Sequence, residues 1–356
     1  MELNTESILL QNSLIGPAFL VVDGVVTQVN DAAVRHLIST GMQIDDLLAA
    51  GTDAYRTYRS GKLYLQLNIG GSPTGAYVTK LGNGHLFCLS SPYQTPELRA
   101  LALAAQQLRA PLSSAMLNAD LLQSNPAVQE DPQAKAQMCQ LNRGLYQLLR
   151  AVGNMADASG VYIRPEQQEM RNATAVFDEI MQKACDVLVQ TNRTVVFKGL
   201  QKPVQCSLDT ELLERAVLNL VSNAVKFSPE GGSIQAGLRL HGNQLMFTIE
   251  NSVVAGSATQ VQNAFNHFLR EPGIDGHQYG IGLGMSIVIS AAYAHGGTVL
   301  FNTNSKNGAR IILTIAANRT APNVLESPLR LIGGHTGGFD SLLVELSDVL
   351  PDSAYN

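Results

Sequence analysis

Four polar side chains in the stretch LLERAVLNLVSNAVKFSPEGG are the first sign of chemistry. Arg215, Asn219 and Asn223 stand four apart and Lys226 follows three later, a spacing that puts all four on one helix face. Leu213, Ala216, Val217, Leu220 and Ala224 make most of the remaining surface apolar. Two carboxamides on an otherwise buried helix need hydrogen-bond partners. A nucleotide–magnesium complex would supply them: the amide oxygen of Asn223 is a neutral hard ligand of the kind Mg²⁺ accepts beside phosphates, and Lys226 meets phosphate charge. Capping of neighbouring loops is the alternative. A second sign is GIGLGMSIV at 280–288, where Gly280, Gly282 and Gly284 lead into an apolar helix. Glycines let backbone approach a phosphate, and the free N–H groups of a helix start bind anions. Taken alone, such a turn is equally a tight entry into a helix.

These residues need a scaffold. From 174 onward the patterning predicts a helix (174–190), strands (Thr194–Phe197, Val204–Ser207), a helix (209–227), two strands (233–240, 244–250), a long irregular stretch, a helix (282–295) and two strands (298–302, 309–316). That order is α+β, with helices on one side of a mixed sheet. Upstream, Thr95 and Pro96 read as an N-cap and first helical position. Leu98, Leu101, Ala105, Leu108, Leu112, Ala115, Ala119 and Leu122 then alternate steps of three and four, as a heptad seam does. SNPAVQEDP interrupts it with Pro126 and Pro132, and Met138, Leu141, Leu145, Leu148, Val152 and Met155 form a second seam. Two such helices bury their stripes best in a four-helix bundle made by two chains, which predicts a homodimer through 95–158. A hairpin packed on its own domain is the alternative. Residues 8–92 read as a small mixed domain. Asp23-Gly24 marks a hairpin, Asn30 caps a short helix through Ala32 and Leu37, and YLQLNI, GAYVTKL and HLFCLS are three strands.

The whole chain has 356 residues, 45% hydrophobic and 15% charged, enough for two or three domains with real cores. A net charge of −5 argues against a nucleic-acid binder. Cys88, Cys139, Cys185 and Cys206 show no C-x-x-C spacing and suit a reducing cytosol, with neither zinc nor disulfides expected. MELNTESILL lacks the pattern of a signal peptide, and the apolar run Ile281 to Ala294 is too short for a membrane span. A cytoplasmic location is therefore expected.

NLVSNAVKFSP, FNHFLR (265–270) and GIGLGMSIV, in this order, resemble the ATPase domain of sensor histidine kinases, a Bergerat-type α/β sandwich shared with type II topoisomerases and the chaperone Hsp90. The resemblance implies that Asn223 holds Mg²⁺, that Asn219 supports the phosphates of ATP, that Gly280, Gly282 and Gly284 wrap them, and that Phe265, Phe268 and Arg270 belong to the lid. LRAPL at 108–112 is similar to the segment that follows the phosphoacceptor in that family's dimerisation helix, and the order of elements in 8–92 resembles a PAS sensory domain. The implied organisation is α+β and multidomain: a PAS-like unit (1–93), a two-helix dimerisation hairpin (94–158), a linker (159–169), the ATPase domain (170–318) and a tail (319–356).

The chain departs from that family where the chemistry happens. Aligned on LRAPL, the phosphoacceptor position holds Gln106, one step past the seam residue Ala105 and so facing solvent. A carboxamide nitrogen has a delocalised lone pair and is no nucleophile, unlike imidazole. The seven histidines are His36, His85, His241, His267, His277, His295 and His335, so none lies between 86 and 240. Gln107 stands where the proton acceptor is expected, and Ala110 at the phosphatase position. In the adenine box Asn251 replaces Asp, and Val253 and Ala255 replace glycines, with Gly256 partly compensating. ATP and Mg²⁺ binding is expected to be weakened or lost. A pseudokinase signalling as a homodimer, or paired with an active histidine kinase or a response regulator, is the favoured reading; an ATP-binding kinase acting on a separate chain and a nucleotide-free scaffold are the alternatives. In the tail, DSLLVELSDVL (340–350) is a short amphipathic segment, expected as a packing extension or frayed end, with docking on the ATPase domain or in a partner's groove as the alternative.

Overall fold

The computed structural model describes residues 16–90, 96–158, 168–251, 284–304, 308–318 and 338–356. The N-terminal unit opens on β1 (Ala18–Val22) and β2 (Val25–Val29), joined by Asp23 at φ +50° and Gly24 at φ +80°. Two consecutive positive φ angles twist the turn as the paired strands require. Asn30 caps α1 (Asp31–Arg35), its side-chain oxygen accepting from the Ala33 amide at 2.8 Å and from the Ala18 amide at 3.0 Å. The helix ends two residues earlier than the patterning predicts, because Leu37 turns to φ +64°. After α2 (Ile44–Leu47), β3 (Leu48–Ala50) and α3 (Thr52–Thr57), the strands β4 (Lys62–Ile69), β5 (Ser72–Leu81) and β6 (Gly84–Ser90) complete an antiparallel sheet in the order β2-β1-β6-β5-β4. Its core holds Phe19 stacked on Phe87 at 4.9 Å, with Leu63, Leu65, Leu67 and Val78.

The hairpin consists of α4 (Pro96–Gln123) and α6 (Pro132–Ala158). Pro111 sits inside α4 without ending it. The interruption at SNPAVQEDP is itself a short helix, α5 (Pro126–Glu130), because Asn125 accepts from the Ala127 amide and Pro126 occupies a first-turn position where no amide is needed. The predicted seams divide between two fates. Ala105, Leu112, Ala119 and Val152 are buried, together with Met116, Leu149 and Ala156 from outside the predicted seams. The seam residues Leu108, Leu122, Leu141 and Leu148 stay exposed, as do Leu103, Leu117 and Leu121 from outside the seams, Leu121 at 70%.

The third unit comprises β7 (Glu169–Asn172), α7 (Ala173–Leu188), β8 (Thr194–Lys198), β9 (Gln205–Leu208), α8 (Thr210–Phe227), β10 (Ser233–His241), β11 (Gln244–Asn251), α9 (Gly284–Ala294), β12 (Val299–Asn304) and β13 (Gly308–Ala316). The alternation of buried and open residues along β10 and β11 gives the sheet one inner face, covered by α7, α8 and α9. Phe177 stacks on Phe247 at 5.3 Å in this core. The chain ends in α10 (Ser341–Glu345) and a 3₁₀ turn (Asp352–Tyr355).

Two joints go beyond separate domains in a row. First, β12 pairs antiparallel with β4, Val299 opposite Tyr64 and Phe301 opposite Lys62, so that one sheet runs β2-β1-β6-β5-β4-β12-β13-β11-β10-β8. Gly61 (φ +92°) makes this possible: a Cβ there would lie 2.2 Å from the Phe301 carbonyl oxygen. Gln66 adds a hydrogen bond to the Tyr293 carbonyl at the end of α9. Second, residues 338–356 dock between the hairpin and the third unit instead of fraying. Val344 packs with the hairpin core, while Leu342, Leu346, Leu350 and Tyr355 join the core of the third unit.

Candidate functional site

The site is built on α8. Asp209 caps this helix by accepting from the Leu212 amide at 3.0 Å, and its own amide donates to Nε2 of His295 at 3.0 Å. His295 Nδ1 donates to the Ala291 carbonyl, so the ring is a neutral, fully bonded strut between the start of α8 and the end of α9; burial lowers its pKa. This strut sets the two helices that carry the asparagines and the glycine turn side by side.

Asn219 lies at the centre of α8, fully buried, with both of its N–H donors and its oxygen bonded. Its amide nitrogen donates to the Arg215 carbonyl and to Oε2 of Glu345, both at 2.9 Å, and its oxygen accepts from Nη2 of Arg150 at 3.0 Å. Gly284 rests directly on it: a Cβ at 284 would come within 2.5 Å of the Asn219 oxygen. Asn223, one turn on, is half-buried and its amide faces the Met285 sulfur at 3.8 Å. The structure therefore brings Asn219, Asn223 and Gly284 together. Gly280, Gly282 and the FNHFLR segment lie outside the described residues, as do Val253 and Ala255. Asn251 is buried at the end of β11, opposite Ile234 and Ala309.

Around Asn219 the charges come from three parts of the chain. Arg215 donates Nε to Oε1 of Glu345 at 2.9 Å and Nη2 to Asn154 on α6 at 3.4 Å. Arg150, also on α6, faces Glu345 at 3.4 Å and Asp348 at 2.9 Å as charge contacts rather than aligned hydrogen bonds. Lys226 reaches Asp348 at 3.7 Å. Arg215 and Glu345 are 4% and 1% exposed, which makes their bridge a desolvated one. Beside it Glu214 is buried and accepts from the Ser341 hydroxyl at 3.0 Å. Burial, first of all, raises its pKa to about 7; the Ser341 bond and Lys183 oppose this, and Glu345 and Asp340 add to it.

On the hairpin, Gln106 and Gln107 are both exposed on α4, next to the buried Ala105, in keeping with the expected orientation. No sequence pattern pointed to Arg150, Glu345, Asp348 or His295. Their partners are distant in the chain, 69 residues for Arg150 and Asn219 and 130 for Arg215 and Glu345, and the amphipathic pattern of 340–350 marked the segment but not these residues.

The resemblance to histidine kinases implies a Mg–nucleotide here. The N-box face, the side of α8 that carries Asn219, Asn223 and Lys226, does not fit its phosphates in this arrangement: both N–H donors of Asn219 are taken, and the carboxylates of Glu345 and Asp348 already face Arg150, Arg215 and Lys226. Among the described residues no group of three or more His, Cys, Asp or Glu side chains converges as a metal site, and no helix is long and apolar enough to cross a membrane.

Comparison with known proteins agrees with this architecture. Residues 208–319 match the family described as histidine kinase-, DNA gyrase B-, and HSP90-like ATPase. An uncharacterized sensor-like histidine kinase of Rhizobium meliloti is 26% identical over 271 residues, 71% of this chain and 50% of that protein. The sensor protein RstB of Escherichia coli is 33% identical over 123 residues, 34% of this chain and 28% of that protein. Full-length ShkA in complex with AMPPNP aligns over 67% of this chain and 48% of its own, with 20% identity and a TM-score of 0.47. The chain spans about half the length of the first curated relatives it matches. Residues 208–319 thus carry a domain of the histidine kinase-, DNA gyrase B- and HSP90-like ATPase family, in a chain similar to sensor histidine kinases over most of its length.

Proposed function

We propose that this chain is a cytosolic, histidine-kinase-like signalling protein that does not phosphorylate itself: a pseudokinase that acts through conformation and through pairing with another copy or with an active kinase or response regulator. One observation carries the reading. The acceptor position holds Gln106, no histidine lies between 86 and 240, and an amide cannot take a phosphoryl group. The exposed leucines of the hairpin, Leu108, Leu122, Leu141 and Leu148 among them, support a homodimer through 95–158, since soluble chains rarely leave so continuous an apolar stripe open. The N-terminal unit, with its hairpin, short helices and three-stranded meander, supports a PAS-like sensory role.

Incubation of the full chain with labelled ATP and Mg²⁺ tests the proposal. No acid-labile phosphoprotein is expected, and phosphate found by mass spectrometry within 95–158 would overturn it. A second reading, an ATP-binding kinase acting on a separate chain, draws support from the closeness of Asn219, Asn223 and Gly284. It predicts Mg–ATP binding that Asn223→Ala abolishes. The third, a nucleotide-free scaffold, draws support from the carboxylates at the N-box, and a thermal shift with and without Mg–ATP separates the two.

A further inference from the structure

The tail is anchored on both sides of the N-box. Toward the ATPase domain, Glu345 meets Arg215 and Asn219, Asp348 meets Lys226, and Ser341 donates to Glu214. Toward the hairpin, Arg150 meets Glu345 and Asp348, while Arg143 pairs with Asp352 at 2.9 Å and donates to the Ser347 carbonyl. Asn142 donates to the Tyr355 carbonyl, and Tyr146 packs on the Tyr355 ring at 5.0 Å. The tail helix is held in shape by Asp340 at its cap and by the Tyr355 hydroxyl on the Leu343 carbonyl. The contacts of Glu345 with Arg150 and Arg215 are desolvated, and Ser347, Leu346 and Leu350 are buried beside them, while the Arg143–Asp352 and Lys226–Asp348 pairs are partly exposed.

From this geometry we infer that residues 340–352 are an intramolecular ligand of the phosphate-binding face. The carboxylates of Glu345 and Asp348 occupy the cations and the asparagine that would otherwise meet a polyphosphate, so the docked tail and a Mg–polyphosphate exclude each other. The same carboxylates tie Arg150 of the hairpin to Arg215 of the ATPase domain. The docked tail therefore closes the site and fastens the hairpin to it in one step, and displacing it frees both. The inference rests on the reading of α8 as the N-box of an ATPase domain. It is independent of whether any residue of the hairpin accepts phosphate.

The charge logic is direct. A buried guanidinium requires a counter-anion, and an anion from solution competes with a tethered carboxylate present at an effective concentration on the order of millimolar. The test uses the full chain and Mg–tripolyphosphate, which has phosphates and no base and so bypasses the altered adenine box. Isothermal titration of the wild type is compared with the double variant E345Q/D348N, in which the amides keep side-chain volume and lose charge. At least tenfold tighter binding is expected in the variant. Hydrogen exchange on 341–350 in the wild type is expected to rise with tripolyphosphate concentration, while β10 and β11 stay protected. Tyr355→Ala, which loosens the tail and removes no charge, should shift binding in the same direction. Equal affinities in all three proteins, including none detectable, or tail exchange indifferent to tripolyphosphate, overturns the inference. Phosphate incorporation into 95–158 would sink the proposed function and leave these ratios unchanged, so the two failures are distinguishable.

Discussion

The acceptor position on α4 and the asparagine face on α8 depart from what their resemblance implies in opposite ways. On α4 the geometry is intact: Gln106 and Gln107 project into solvent from a helix whose Ala105 and Leu112 are buried beneath them. What is missing is the side-chain type. On α8 the side chains are present, with Arg215, Asn219, Asn223 and Lys226 on one face and Gly284 against it. What is missing is access, because Glu345, Asp348 and Arg150 have taken the partners. One position is exposed and differs in side-chain type; the other keeps its side chains and is covered. On the proposed reading, a single substitution at an exposed position and a segment packed over a site are two separate routes away from catalysis.

That contrast is sharpest in stability. Glu345→Ala removes the carboxylate from the buried Arg215 guanidinium and leaves Arg150 with Asp348 alone, and breaking a buried pair costs about 3–5 kcal/mol. Urea denaturation should show a midpoint shift of that size, with loss of tail protection. A shift under about 1 kcal/mol would mean that the tail is a surface appendage and the contrast false.

Next comes pH. Glu214 has its folded pKa raised from 4.5 to about 7, first by burial. Below about pH 4.5 it is protonated folded and unfolded alike. Between there and about 7 the unfolded chain releases the proton while the folded one keeps it, so stability falls as pH rises, by up to about 3 kcal/mol. The groups facing it are Ser341, Lys183, Glu345 and Asp340. Denaturation midpoints for wild type and Glu214→Gln should therefore diverge between about pH 4.5 and 7, with the variant flatter. Parallel curves would remove Glu214 from the account.

A smaller effect is expected for Gly284→Ala, whose Cβ would fall 2.5 Å from the Asn219 oxygen. Overpacking of this kind costs about 1–3 kcal/mol, and the thermal midpoint should drop accordingly. No drop would mean that α9 and α8 are not held at this distance. At the far end of the scale stands Gln106→His. The exposed substitution should change stability by less than about 0.5 kcal/mol. It should yield no phosphohistidine on incubation with Mg–ATP while the tail is docked, which anti-phosphohistidine detection checks. Robust labelling of that single variant would show that the α8 face is open after all.

Much of the fold was legible in local pattern. The predicted helix 209–227 matches Thr210–Phe227 because Asp209 is a cap and Ser228 and Pro229 follow its last turn. The predicted strands 233–240 and 244–250 match Ser233–His241 and Gln244–Asn251, since alternating apolar residues commit one face to a core. The site was legible only in part. The spacing of Asn219 and Asn223, and the solvent-facing place of Gln106 beside Ala105, follow from helical periodicity. The sharing of α4 and α6 between a buried and an exposed stripe did not, because a single heptad pattern serves both a partner helix and the tail's Val344.

By itself the sequence decided what side chain stands at position 106: an amide is an amide wherever the helix points, and no histidine lies within the hairpin. Whether Asn219 can meet a phosphate was decided by tertiary structure alone. Its oxygen is held by a side chain 69 residues away and its nitrogen by one 126 residues away. Pairings over such distances leave no periodicity to read; they exist only once the hairpin, the ATPase domain and the tail have packed and brought Arg150, Arg215 and Glu345 together out of water.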